Sequence, residues 1–135
     1  MVQIEARYDG SLRCSAVHGP SSSSLETDAP ADNMGKGEKF SPTDLVATAL
    51  ATCILTTVAI VAERNEYDIT GMTASVEKHM AADPHRRIAR LPVTLRLPGS
   101  LHDTARKKLE HAAEHCPVHH SLGAGVDAPI EFVYG

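Results

Sequence analysis

Aromatic residues are scarce in this chain. Its 135 residues include no tryptophan, two phenylalanines and three tyrosines. Nucleic-acid binders need a basic face and usually aromatics on which bases stack. Here thirteen Lys and Arg stand against seventeen Asp and Glu, a net charge of −4, so nucleic acid is not an expected partner. Cysteine is also sparse, at three, and an odd, small number is no disulfide framework. No apolar run approaches the ~18–20 residues that span a bilayer. Met1 to Gly10 carries Glu5, Arg7 and Asp9 among its apolar residues, so it is not a secretory signal. A cytoplasmic protein with no membrane partner is expected. The chain has room for one domain, residues 1–135, and its 22% charged and 42% hydrophobic residues suit a globular core.

Histidine is abundant. Five of the eight histidines lie between His102 and His120, and four of those crowd Cys116. In a reducing compartment, cysteines pack, bind metal or do redox chemistry, so this cluster is the first sign of chemistry.

The hydrophobic pattern gives the elements. Val2, Ile4, Ala6 and Tyr8 alternate with polar residues as a half-buried strand does. Asp9-Gly10 is a two-residue hairpin signal, with a return strand from Ser11 to Val17. Leu25 to Thr27 makes a third short strand. Asp28 to Phe40 is a loop without periodicity, and loops of that length often carry function. Ser41-Pro42-Thr43-Asp44 then starts a helix: Ser41 caps, Pro42 suits the first position and Asp44 favours the positive dipole end.

From Leu45 to Ala62 nearly every residue is apolar or small, the mark of a central, buried helix. In so small a chain, a second subunit is a natural cover. Thr73–Met80 and Arg86–Leu97 read as strands around an Asp83-Pro84 turn, with Pro92 marking an edge or bulge. Asp103 to His115 is an amphipathic helix with Leu101, Ala105, Leu109, Ala112 and Ala113 on its apolar side. Pro117 breaks it, and Pro129–Tyr134 is a final strand. The order βββ–α–ββ–α–β is α+β.

Cys116 sits in His115-Cys116-Pro117-Val118-His119-His120. If Pro117 opens a short helix, Cys116 is its cap, and the dipole and nearby imidazoles favour a reactive thiolate. The plain alternative is a small hydrophobe at a helix junction. Cys53, mid-helix, reads by itself as packing. It shares a line with Ala49 and Thr57, however, and these small neighbours leave room for another element to approach. Cys14 reads as core filler. A zinc site from His111, His115, Cys116 and His119 is a competing reading, set against the absent C-x-x-C pair and the break at Pro117. There is no G-x-S-x-G elbow. Gly35-Lys36-Gly37-Glu38 lacks the spacing of a phosphate loop, so its glycines read as backbone flexibility. Arg86, Arg87 and Arg90 read as a charged strand end.

Gly37-Glu38-Lys39-Phe40-Ser41-Pro42-Thr43-Asp44-Leu45, running through Ala47 and Ala49 to Cys53, resembles the first cysteine helix of the OsmC/Ohr family, the osmotically inducible and organic hydroperoxide resistance proteins. Val76-Glu77-Lys78-His79 and Arg87-Ile88-Ala89-Arg90 resemble its OsmC-like branch. His115-Cys116-Pro117-Val118-His119-His120-Ser121-Leu122 resembles the second cysteine motif. The resemblance implies an intertwined homodimer, with antiparallel sheets wrapped around a central long helix and active sites at the subunit interface. It implies a two-cysteine peroxidase that needs no metal or other cofactor. Cys53 would attack an organic hydroperoxide and become a sulfenic acid, Cys116 would close a disulfide, and an external thiol or dithiol would reduce it.

The resemblance further implies an activating Arg and Glu. Arg13 is the choice for the arginine, with Arg7 second. The hydroperoxide-resistance branch has glutamate at the position of Thr43 here. Asp44 is next door but turned by about 100° on the helix, and Glu38 is the other carboxylate candidate. An arginine beside a thiol favours the thiolate and stabilises charge on the departing oxygen. The second functional reading is a thiol protein of the same fold that binds or carries small electrophiles or sulfur species. A third is a structural dimer without chemistry. The apolar helix around Cys53 hints at alkyl or fatty-acid hydroperoxides as substrates.

Overall fold

Alternation along the N-terminal segment produces three antiparallel strands in the order β1-β2-β3: β1 (Ile4–Gly10), β2 (Arg13–His18) and β3 (Ser24–Asp28). The register pairs Ala6 with Ala16 and Tyr8 with Cys14, then shifts by one residue so that Gly10 faces Arg13. The turn is therefore Ser11-Leu12, not the expected Asp9-Gly10. Ser11 and Leu12 both take positive φ, 55° and 64°, which gives the turn the twist of the flanking strands. Gly10, at φ 93°, takes up the strained position beside the bulge.

The computed structural model describes residues Met1 to Gly135, in two compact units, Met1–Leu45 and Val46–Gly135. In the first unit, β1 is not the half-buried strand its alternation predicts. The pleat puts Ile4, Ala6 and Tyr8 on one face with Ala16 and Leu25, and Ile4, Tyr8 and Leu25 are exposed. The pattern fits a sheet with an apolar face, but a single chain leaves that face uncovered.

The 28–40 loop is held by its backbone. Asp28 N–H donates to Phe40 O, Ala29 N–H to Leu12 O and Gly37 N–H to Ala29 O, at 3.1, 3.2 and 3.3 Å. A short 3₁₀ turn covers Ala31–Asn33. Gly35 is required for close approach rather than flexibility: a Cβ there would collide with the Ala29 carbonyl oxygen.

Helix α1 (Pro42–Arg64) begins as its sequence predicts. Ser41 Oγ accepts the Asp44 N–H at 3.1 Å, and Asp44 Oδ2 accepts the Ser41 N–H at 2.9 Å. This is a capping box with aspartate in the usual place of glutamate. In the second unit α1 buries one stripe, Ala47, Leu50, Ala51, Ile54, Val58 and Ala62, spaced by three or four residues. Val46 and Ile60, on other faces, are exposed. The helix corrects the expectation about apolar runs. An 18-residue window within it has mean hydropathy 2.3, enough by length and composition to cross a membrane, and only 28% of that window is buried.

The strands expected at 73–80 and 86–97 each break in two, giving β4 (Thr73–Val76), β5 (His79–Ala81), β6 (Arg87–Arg90) and β7 (Val93–Leu97). Pro92 is the physical reason: it has no N–H for a ladder. Around it Leu91 N–H turns to Asp127 O, while Pro92 O accepts from Glu77 N–H. Helices α2 (Asp103–Glu114) and α3 (Pro117–Ser121) follow, then β8 (Ile130–Tyr134). The main sheet runs β4-β7-β8 and a separate ribbon pairs β5 with β6. All pairs are antiparallel except β7–β8, which are parallel, as a strand returning through helices must often be. The α+β class stands.

The core of this unit joins the α1 stripe to Val93, Leu95 and Leu97 of β7 and to the predicted apolar side of α2. Leu50, Ile54 and Leu109 are fully enclosed, each contributing roughly 1.5–3 kcal/mol by burial.

Candidate functional site

Two cysteines far apart along the chain meet in the second unit. Cys53 lies midway along α1, half-buried, its Sγ 4.0 Å from Thr57 Oγ1 one turn on. Cys116 ends the link between α2 and α3. Pro117 occupies the first turn of α3 and Cys116 is its cap, its Sγ accepting the His119 N–H at 3.4 Å. The Cys53 side chain is close enough to Cys116 for a thiol–thiol hydrogen bond. Both are free thiols.

The cap reading of Cys116 is right in geometry, but its expected electrostatic consequence is corrected. Cys116 is fully buried, and burial pushes its thiol above the ordinary range; the neighbouring Cys53 adds to this, while the His119 and Val118 backbone N–H groups pull the other way. The desolvation cost of a buried thiolate outweighs one turn of helix dipole. The hydrogen bond reaching the sulfur comes from a backbone N–H, not an imidazole. His119 Nε2 instead donates to Ala128 O at 2.9 Å. His115 Nδ1 donates to His111 O at 2.8 Å, its ring stacks on His111 with centroids 4.0 Å apart, and His120 meets it edge-on at 5.4 Å. No group of three or more His, Cys, Asp or Glu side chains is arranged to hold a metal ion.

Arg13 and Glu38 form the other predicted pair, and both lie in the first unit. Arg13 Nη2 is 3.0 Å from Glu38 Oε2 and 3.7 Å from Asp28 Oδ2. Asp28 was not foreseen. It is 1% exposed, faces Arg13 directly across β2–β3, and its Oδ2 accepts the Glu38 N–H at 3.2 Å. The register that pairs it with Arg13 is the signal that could have found it, and register depends on where the turn falls. Arg7 is occupied with Asp9 at 2.7 Å on the exposed sheet. Asp44 is committed to the helix cap, and Thr43 Oγ1 lies 3.1 Å from Ser41 Oγ. Cys14 is half-buried in β2 opposite Tyr8 and Thr27. The four predicted residues thus fall into two pairs, one in each unit.

Next to Cys53, between α1 and α2, runs a cleft of about 440 Å³. Thr57 and Val61 line it from α1, Lys107, Lys108 and His111 from α2, and His115 from the C-cap of α2. Its Thr57 end lies one helical turn from Cys53.

A family model described as OsmC-like protein matches residues 35–131. Comparison with curated proteins gave no match. Among solved structures, a Psychrobacter arcticus 273-4 protein, named for osmotic stress induction and detoxification response, is similar at 43% identity. The alignment covers 98% of this chain and 96% of that one, with a TM-score of 0.90. An OsmC-like protein from Mycoplasma pneumoniae is similar in fold at 16% identity, with 99% and 96% covered and a TM-score of 0.84. So is an organic hydroperoxide resistance protein OsmC from Legionella pneumophila, at 20% identity, 98% and 96% covered and a TM-score of 0.75. Both cysteine motifs of this chain fall within the matched segment. The chain belongs to the OsmC-like protein family.

Proposed function

We propose that this protein is a cytoplasmic, thiol-dependent peroxidase that reduces organic hydroperoxides, acting as a homodimer of a single OsmC-like domain. The observation that carries the reading is the contact between the Cys53 and Cys116 thiols, one half-exposed and one fully buried. In this scheme the Cys53 thiolate attacks the distal oxygen of ROOH. The O–O bond breaks, two electrons leave sulfur, the departing alkoxide takes a proton as ROH, and Cys53 becomes a sulfenic acid. Cys116 then attacks the Cys53 sulfur. The S–O bond breaks, and hydroxide leaves as water with the proton that Cys116 releases. Cys116, held neutral at rest by burial, gives up its proton as it attacks, because the thiolate is the nucleophile. An external thiol or dithiol supplies two electrons and two protons to reopen the disulfide.

Arg13, steadied by Glu38 and Asp28, is the proposed cation for the thiolate and the departing oxygen. The homodimer is supported by two uncovered apolar surfaces, the Ile4–Tyr8–Leu25 face and the outer side of α1 with Val46 and Ile60. The neighbour from Legionella named as an organic hydroperoxide resistance protein agrees with the substrate class.

The test is mass spectrometry after one equivalent of cumene hydroperoxide. An intramolecular Cys53–Cys116 bond is expected. Cys53→Ser should abolish turnover, and Cys116→Ser should leave one oxidation event without disulfide closure. Turnover that survives Cys53→Ser would remove the mechanism. The second reading, a thiol protein that binds or carries small electrophiles, is favoured by Thr43 standing where the hydroperoxide-resistance branch has glutamate. A stoichiometric adduct on Cys53, with peroxide rates no faster than free thiol, would select it.

A further inference from the structure

The cleft between α1 and α2 has one end beside the proposed reacting sulfur and a different chemistry at the other. Thr57, whose hydroxyl is 4.0 Å from Cys53 Sγ, lines the near end. Val61 lines it one turn further along α1, and Lys107 and Lys108 line it from α2. Most of the wall is hydrocarbon, including the stems of the two lysines. The Lys108 ammonium is fixed at the Val61 end. Its Nζ donates to Asn65 Oδ1 at 3.2 Å, and Asn65 is locked in turn by Nδ2 donating to Val61 O at 2.8 Å. No acidic side chain lines the cleft; its charged and titratable lining groups are Lys107, Lys108, His111 and His115. An apolar trough closed by cations at one end fits an amphiphile with a negative head and an alkyl body.

We infer that Lys107 and Lys108 form a carboxylate-binding subsite that selects hydroperoxides bearing an anionic group remote from the O–O bond over neutral ones. Because it concerns substrate choice, this inference rests on the peroxidatic reading of Cys53. The helix sets the ruler. From Cys53 to Val61 is eight residues along α1, a rise of about 12 Å, so an extended chain of roughly ten bonds would separate carboxylate from peroxide.

Binding is tested first, because it needs no turnover. Isothermal titration calorimetry with laurate and with 1-dodecanol should show laurate bound about tenfold more tightly at low salt, with the margin shrinking as salt rises. Lys107→Ala/Lys108→Ala should erase the margin by weakening laurate alone, and the double Arg variant should keep it. Kinetics follow. A hydroperoxide of an unsaturated fatty acid should have a higher kcat/KM than its methyl ester. The double Ala variant should equalise the two and leave cumene hydroperoxide turnover unchanged. Equal binding of laurate and dodecanol overturns the inference, as does a preference that survives the double Ala variant. Failure of every peroxide to turn over, with laurate still selected through the lysines, would instead sink the peroxidatic reading and leave the subsite standing.

Discussion

Closing the Cys53–Cys116 disulfide should stabilise the protein by an amount the structure allows one to work out. The Cys53 side chain already neighbours Cys116 in the reduced form, so the gain is worked from loop entropy alone. Linking them ties off a loop of roughly 64 residues, and the chain-entropy relation assigns such a loop about 4 kcal/mol at 25 °C. Spread over the unfolding entropy of a chain this size, that corresponds to a rise in Tm of about 15 °C. The assay is thermal and urea unfolding of two samples. One is kept reduced; the other is oxidised by one equivalent of cumene hydroperoxide and freed of reductant, its single link confirmed by peptide mapping. Cys116→Ser treated in the same way is the control and should gain nothing. Two results would refute the reasoning. One is the absence of the Cys53–Cys116 link. The other is a confirmed link with no rise in stability, which would mean that the native fold is strained by about as much as the loop entropy provides.

Three further outcomes follow from the geometry. Asp28→Ala strips the buried partner from the Glu38 N–H and from Arg13; it should cost about 1–3 kcal/mol in urea unfolding and lower peroxide turnover, as Arg13→Ala should also do. Leu109→Ala removes a fully buried side chain and should cost about 2–5 kcal/mol by the same measurement, without touching the thiols. The third concerns pH. The folded Cys116 thiol titrates above its ordinary value of 9.0, chiefly because it is buried. The folded state therefore holds a proton that the unfolded state has lost, so this contribution to stability is complete below that value and fades as pH rises through the folded one. Stability of the reduced protein should begin to fall as pH rises past about 9, and Cys116→Ala should flatten that fall.

Local chemistry made much of this molecule legible in one dimension. Ser41 and Asp44 announce the start of α1, Pro117 announces the break that makes Cys116 a cap, and the spacing of Leu101, Ala105, Leu109 and Ala112 names the buried side of α2. These signals act within a helical turn or two, so the sequence holds all their parts. The hairpin was misplaced because Asp9-Gly10 and Ser11-Leu12 compete for one turn. Backbone twist decides between them, and Ser and Leu at positive φ leave no residue signature. That shift set the register, and with it the opposition of Arg13 and Asp28. The two long strands broke at Pro92, whose own carbonyl accepts the Glu77 N–H while Leu91 beside it donates to Asp127 O, partners far along the chain. The protonation of Cys116 turned on burial, which capping position alone does not reveal. The meeting of Cys53 with Cys116 needed the packed structure itself. Contact between residues separated by most of a domain is the sum of many side-chain fits, and no single segment contains it.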